Sequence, residues 1–143
     1  MSLILQLKEE HVQLIRLFEE VKSEISQGDI EPNILVEQLR DLKDILLAHL
    51  ALEDKLIYPK LTSSDNKEAQ NIGKKFSTEM AEISNVVLAF FGKYIIIDIQ
   101  KLKSDKEFEK ELTGIIEAVV KRVELEENTL FPAYEQYCGQ KGA

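Results

Sequence analysis

Six residues could do chemistry in this sequence: His11, His49, Glu53, Met80, Arg122 and Glu126. Each falls on an apolar helical stripe where a core aliphatic residue belongs, and the set contains both histidines of the chain. An isolated charge is costly in a core, so such residues must be paired, protonated or bound to a metal. Imidazole nitrogens and carboxylate oxygens are good donors to iron or zinc. Met80 and Arg122 are not, because a thioether suits iron poorly and a guanidinium stays protonated with no lone pair to offer. His49 and Glu53 stand four residues apart, as do Arg122 and Glu126, so each pair shares one helix face and can address one centre.

Four amphipathic segments must position these residues. The first carries Ile4, Leu7, His11, Leu14, Phe18, Val21 and Ile25 in alternating steps of three and four, with Gly28 as its stop. The second comes after Glu31-Pro32-Asn33, carries Leu35, Leu39, Leu42, Leu46, His49, Glu53 and Leu56, and is expected to end near Pro59 to Leu61. Thr62 to Asn66 reads as a polar turn, and Asp65 with Glu68 as the start signal of the third helix. That helix carries Phe76, Met80, Ile83, Val87, Phe90, Tyr94 and Ile97; Gly73 and Gly92 are candidate bend points, and Tyr94 to Ile97 stays helical despite its β-branched run. Ser104 with Glu107 opens the fourth helix, whose stripe is Phe108, Leu112, Ile115, Val119, Arg122, Glu126 and Leu130. Short connections favour antiparallel neighbours, so the expected fold is an all-α, up-down-up-down four-helix bundle forming one domain over 1–143.

The chain contains its own comparison. His49 to Pro59 (HLALEDKLIYP) resembles Arg122 to Pro132 (RVELEENTLFP) at a constant offset of 73. Glu10-His11 in the first segment is echoed more faintly by Glu79-Met80 in the third. Two helical hairpins related by a pseudo-twofold axis would bring the six seam residues to similar heights inside the bundle, where metal sites of this type are built.

A histidine in the first helix, His-x-x-x-Glu before Tyr-Pro in the second, and a second such block before Phe-Pro in the fourth resemble the hemerythrin-like HHE family of cation-binding bundles, over nearly the whole chain. The resemblance implies a non-haem iron centre with roles in oxygen binding, oxygen, redox or nitric-oxide sensing, or iron handling. It places His11, His49 and Glu53 at ligand positions, and leaves Glu126, or Glu127 one place on, as the carboxylate of the second half. The chain departs from the pattern where Met80 and Arg122 replace the histidines of helices three and four. A single ion, or none, is therefore expected in place of a di-iron pair.

These residues allow two readings. In one, His11, His49, Glu53 and Glu126 hold one ion, with iron as the expected cofactor. In the other, Arg122 replaces the metal charge through bidentate bonds to Glu126 or Glu53, and the bundle acts as a metal-free interaction or regulatory module. The excess of 26 acidic over 18 basic residues gives a net charge of −8, which argues against nucleic acid and anionic membrane surfaces. Apolar runs such as Val86 to Phe91 are far shorter than the roughly 20 residues needed to cross a bilayer, and the sequence reads as cytoplasmic. Lone Cys138 reads as incidental, Lys8-Glu9-Glu10 and Lys106 to Glu111 as solvated faces, and the Phe90-Phe91 doublet as a core corner or a homodimer contact. The sequence carries no nucleophilic triad, phosphate loop or Cys-x-x-Cys, so a protein that binds a metal ion or a protein partner is expected, not an enzyme.

Overall fold

The computed structural model describes residues 2–26, 32–94 and 106–138. Its helices are α1 (Leu3–Ser26), α2 (Pro32–Leu52), α3 (Tyr58–Thr62), α4 (Lys67–Tyr94), α5 (Lys106–Leu125) and α6 (Phe131–Tyr137). One π-helical turn, Glu53–Ile57, joins α2 to α3, and a second, Glu126–Leu130, joins α5 to α6. Four rods result, namely α1, α2 with α3, α4, and α5 with α6, and no strand occurs among the described residues. This is the expected all-α four-helix bundle. Rod one packs on α2 and α5, while α4 packs on α3, α5 and α6.

The apolar stripes build the core. Ile4, Leu7, Leu14, Phe18 and Val21 of α1 are buried against Leu35, Leu39, Leu42 and Leu46 of α2 and the matching stripe of α5 from Phe108 to Val119. Each such side chain contributes about 1.5–3 kcal/mol when fully removed from water. That supply is what lets the same seams carry polar residues lower down.

Several local expectations need correction. The seam of the second rod continues through Ile57, which is fully buried, while Leu56 is only half-buried, because the π turn inserts an extra residue and rotates the helix beyond it. The cap of α4 is Asn66, not Asp65: Asn66 Oδ1 accepts the Ala69 backbone N–H at 3.0 Å. α4 runs as one continuous helix through the candidate bend points Gly73 and Gly92. Gly73 serves a close approach instead, since a Cβ there would lie 2.8 Å from Leu61 Cβ and 3.1 Å from the Thr62 backbone nitrogen. Phe90 and Phe91 are both buried in edge-to-face contact, so neither ring is offered to a second copy. Gly28, Glu31, Ile95 to Ile97 and the Ser104 start signal lie outside the described residues.

Candidate metal centre

The two π turns begin at the two seam glutamates, Glu53 and Glu126, and each is succeeded by the proline of the repeat. In an unbroken α-helix Pro59 would meet the Lys55 carbonyl without an N–H to give, and Pro132 would meet the Asn128 carbonyl in the same way. The chain widens instead: the Tyr58 N–H bonds to the Glu53 carbonyl and the Phe131 N–H to that of Glu126. The widening turns Ile57 and Tyr58 inward in one rod and Leu130 and Phe131 inward in the other, all of them buried. The 11-residue repeat is thus a unit that presents one carboxylate to the core and seals it with an aromatic ring beside a proline.

All four residues singled out as ligands come together. His11, His49, Glu53 and Glu126 are buried, and one donor atom from each lies within 4.8 Å of the other three. His11 Nε2 stands 3.1 Å from His49 Nε2 and 2.9 Å from Glu126 Oε1. His49 Nε2 stands 3.5 Å from Glu53 Oε1 and 3.7 Å from Glu126 Oε1. Four donors at about 2.0–2.1 Å from one ion lie about 3.3 Å apart along the edges of a tetrahedron. Four of the six separations, 2.9 to 3.7 Å, bracket that value, and all four donors lie within 4.8 Å of one another.

Neighbouring carboxylates aim the imidazoles. His11 Nδ1 donates to Glu127 Oε2 and His49 Nδ1 donates to Glu10 Oε1, both at 2.7 Å. An ionised carboxylate only accepts, so each Nδ1 carries a proton and each Nε2 is directed at the shared centre. Phe131 stacks on the His11 ring, with centroids 5.4 Å apart, and limits its rotation. Glu126 therefore faces the cluster, while Glu127 lies behind the His11 ring as the acceptor of its Nδ1. Glu10, read from the sequence as part of a solvated face, also belongs to the site. Its signal was the Glu10-His11 and Glu79-Met80 echo, which marks a functional acid beside each seam position.

Glu53 is the unbalanced member. It is 0% exposed, and neither carboxylate oxygen has a hydrogen-bond partner. Burial is the dominant influence on it and pushes its pKa up to about 8, against the pull of His49. Burial alone would lower the pKa of His49, but the carboxylates of Glu126 and Glu53 outweigh that effect and hold it at about 10. Burial would raise Glu126, yet its bonds from His11 and His49 prevail and hold it below the usual carboxylate range. Without a cation the cluster is thus balanced by bound protons. A divalent ion would replace them and meet the Glu53 carboxylate directly. The residues present fit a metal ion.

Arg122 lies beyond Glu126, outside the four-donor cluster. Its Nε donates to Glu126 Oε2 at 3.3 Å, Nη1 to Glu79 Oε2 at 3.4 Å, and Nη2 to the Tyr58 hydroxyl at 3.1 Å and the Phe76 carbonyl at 2.7 Å. The expected bidentate grip on Glu126 or Glu53 is not formed. The Phe76 carbonyl and the Tyr58 hydroxyl draw the fork away, and Phe76 covers the guanidinium at 4.5 Å from its ring centroid. Met80 is buried as core filling.

A four-helix bundle with a buried cluster of two imidazoles and two carboxylates defines a cation-binding class of protein. The family model of the hemerythrin HHE cation-binding domain matches residues 2–134, so the chain belongs to that family. No curated protein and no solved structure matches it. No helix among the described residues is long and apolar enough to cross a membrane.

Proposed function

We propose that the chain binds one non-haem transition-metal ion through His11, His49, Glu53 and Glu126, with iron as the physiological ion, and uses it for oxygen, redox or nitric-oxide sensing or for iron handling. The observation that carries this reading is the Glu53 carboxylate, fully buried and without a hydrogen-bond partner beside two imidazole nitrogens aimed at the same point. Two imidazoles and two carboxylates suit iron and zinc alike; the family match supports a cation, and iron is what the resemblance to the hemerythrin-like family implies. Such an ion would supply redox chemistry or a coordination position for a small ligand. The protein's part is to hold the donors, exclude bulky molecules and keep the imidazole rings oriented.

Burial of the whole cluster suits a response to oxidation state or to a diatomic ligand better than turnover of a larger substrate. Both histidines are committed to the cluster, which leaves no imidazole for a nucleophile and base pair, so binding is proposed in place of catalysis. The metal-free alternative has less support, because within the cluster Arg122 contacts only the outer oxygen of Glu126 and leaves the Glu53 carboxylate without a hydrogen-bond partner. Anaerobic incubation with Fe(II), desalting and elemental analysis test the proposal. One iron per chain, lost on His49→Ala, is expected; a wild-type chain that retains no ion would overturn it.

A further inference from the structure

We infer that the guanidinium of Arg122 occupies the place of a second cation in this centre and thereby sets its capacity at one metal ion per chain. The inference rests on the reading that the four-donor cluster holds a metal, and concerns the group on the other side of Glu126. That carboxylate is shared. Oε1 faces His11 and His49, at 2.9 and 3.7 Å, while Oε2 faces Arg122 Nε at 3.3 Å. A carboxylate with one oxygen toward each of two positive centres is a bridge, and here one of those centres is covalently part of the chain.

The internal repeat locates the guanidinium independently. Position 49 maps onto position 122 at the offset of 73, and Glu53 maps onto Glu126. The acids preceding the seam residues of α1 and α4, Glu10 and Glu79, are paired in the same way at an offset of 69. Glu10 accepts from His49 Nδ1 at 2.7 Å, and Glu79 accepts from Arg122 Nη1 at 3.4 Å. The second half of the bundle therefore keeps the supporting acid and the shared carboxylate, and carries a fixed positive charge where the first half carries a metal-facing imidazole. Arg122 is also held too firmly to swing aside for an incoming ion. It is 4% exposed, every nitrogen of its fork has an acceptor, and Phe76 covers its face.

A guanidinium differs from an ion in two respects that matter to the site. It cannot dissociate, so Glu126 Oε2 has its partner, and Oε1 is turned to the histidines, before any metal arrives. It also repels a metal ion at the neighbouring position, an effect that persists at short range in a buried site.

The test is zinc stoichiometry by elemental analysis after equilibrium dialysis, using zinc alone as the probe and circular dichroism to confirm the helical fold. Wild type is expected to bind one zinc, and the double variant Met80→His/Arg122→His two. If wild type binds one and the folded double variant also binds one, the place of Arg122 is not a cation place and the inference fails while the centre stands. Two zinc ions in wild type would likewise overturn it. None in wild type would overturn the centre and this inference with it. Arg122→Met provides a second route that keeps the side-chain volume and tolerates failure of the double variant to fold. Removing the fixed charge should tighten the single zinc by at least about tenfold, whereas unchanged or weaker binding would show that Arg122 merely positions Glu126 and would refute the inference.

Discussion

Glu53→Gln separates the energetics of the metal-free centre from those of the loaded one. In the metal-free protein, burial raises the Glu53 pKa from 4.5 to about 8. The native carboxyl thus holds its proton more tightly than the unfolded one. Its contribution to stability falls as pH rises from 4.5 through about 8 and is level above that. At about 1.4 kcal/mol per unit, complete ionisation costs on the order of 5 kcal/mol. Glutamine resembles the protonated acid in size and as a donor, and removes this cost. His49 then loses one of the two carboxylates that hold its pKa at about 10, which returns part of the gain. A net advantage of about 2–3 kcal/mol for the variant is expected at alkaline pH, shrinking to near zero or reversing in mild acid.

Urea unfolding of chelator-treated wild type and variant at about pH 5.5 and about pH 8.5 measures this difference directly. Saturating zinc should invert the order at the higher pH, because the variant has lost an anionic donor that the ion requires. A stability difference that is the same at both pH values would refute the argument that burial disfavours the ionised Glu53 carboxylate in this core. So would equal stabilisation of the two proteins by zinc.

Contacts around the centre give further expectations. Glu10→Gln and Glu127→Gln each exchange an ionic acceptor on an imidazole Nδ1 for a neutral one, and should each weaken zinc binding about 10–100-fold in a competition titration with a chromophoric chelator, while leaving the helical circular dichroism unchanged. Gly73→Ala places a methyl 2.8 Å from Leu61 Cβ, so α4 must shift from α3. A loss of about 1–3 kcal/mol in urea unfolding is expected, and an unchanged denaturation midpoint would show that the two helices have room to spare.

Much of the bundle is legible in the sequence, because helical periodicity is a local property. The stripe from Ile4 to Val21 and that from Phe108 to Leu130 are buried as written, and His11, His49, Glu53 and Glu126 stand out because polar residues on such stripes need a reason. The repeat before Pro59 and Pro132 marks both halves of the site from sequence alone. The π turns were not legible as such, although the prolines that favour them were. Periodicity at 3.6 residues per turn therefore placed Leu56 inward, where the widened turn puts Ile57.

Tertiary structure alone decided the rest. Glu10 and Glu127 lie 39 and 116 residues from the histidines they orient, and only helix packing can reveal a hydrogen bond across such separations. The direction of the Arg122 fork was likewise undetermined by spacing. Its i,i+4 relation to Glu126 permits a closed pair, but the Phe76 carbonyl and the Tyr58 hydroxyl from other rods draw it outward. Helical spacing determines which residues share a face; which atoms meet across the core depends on how four such faces are brought together.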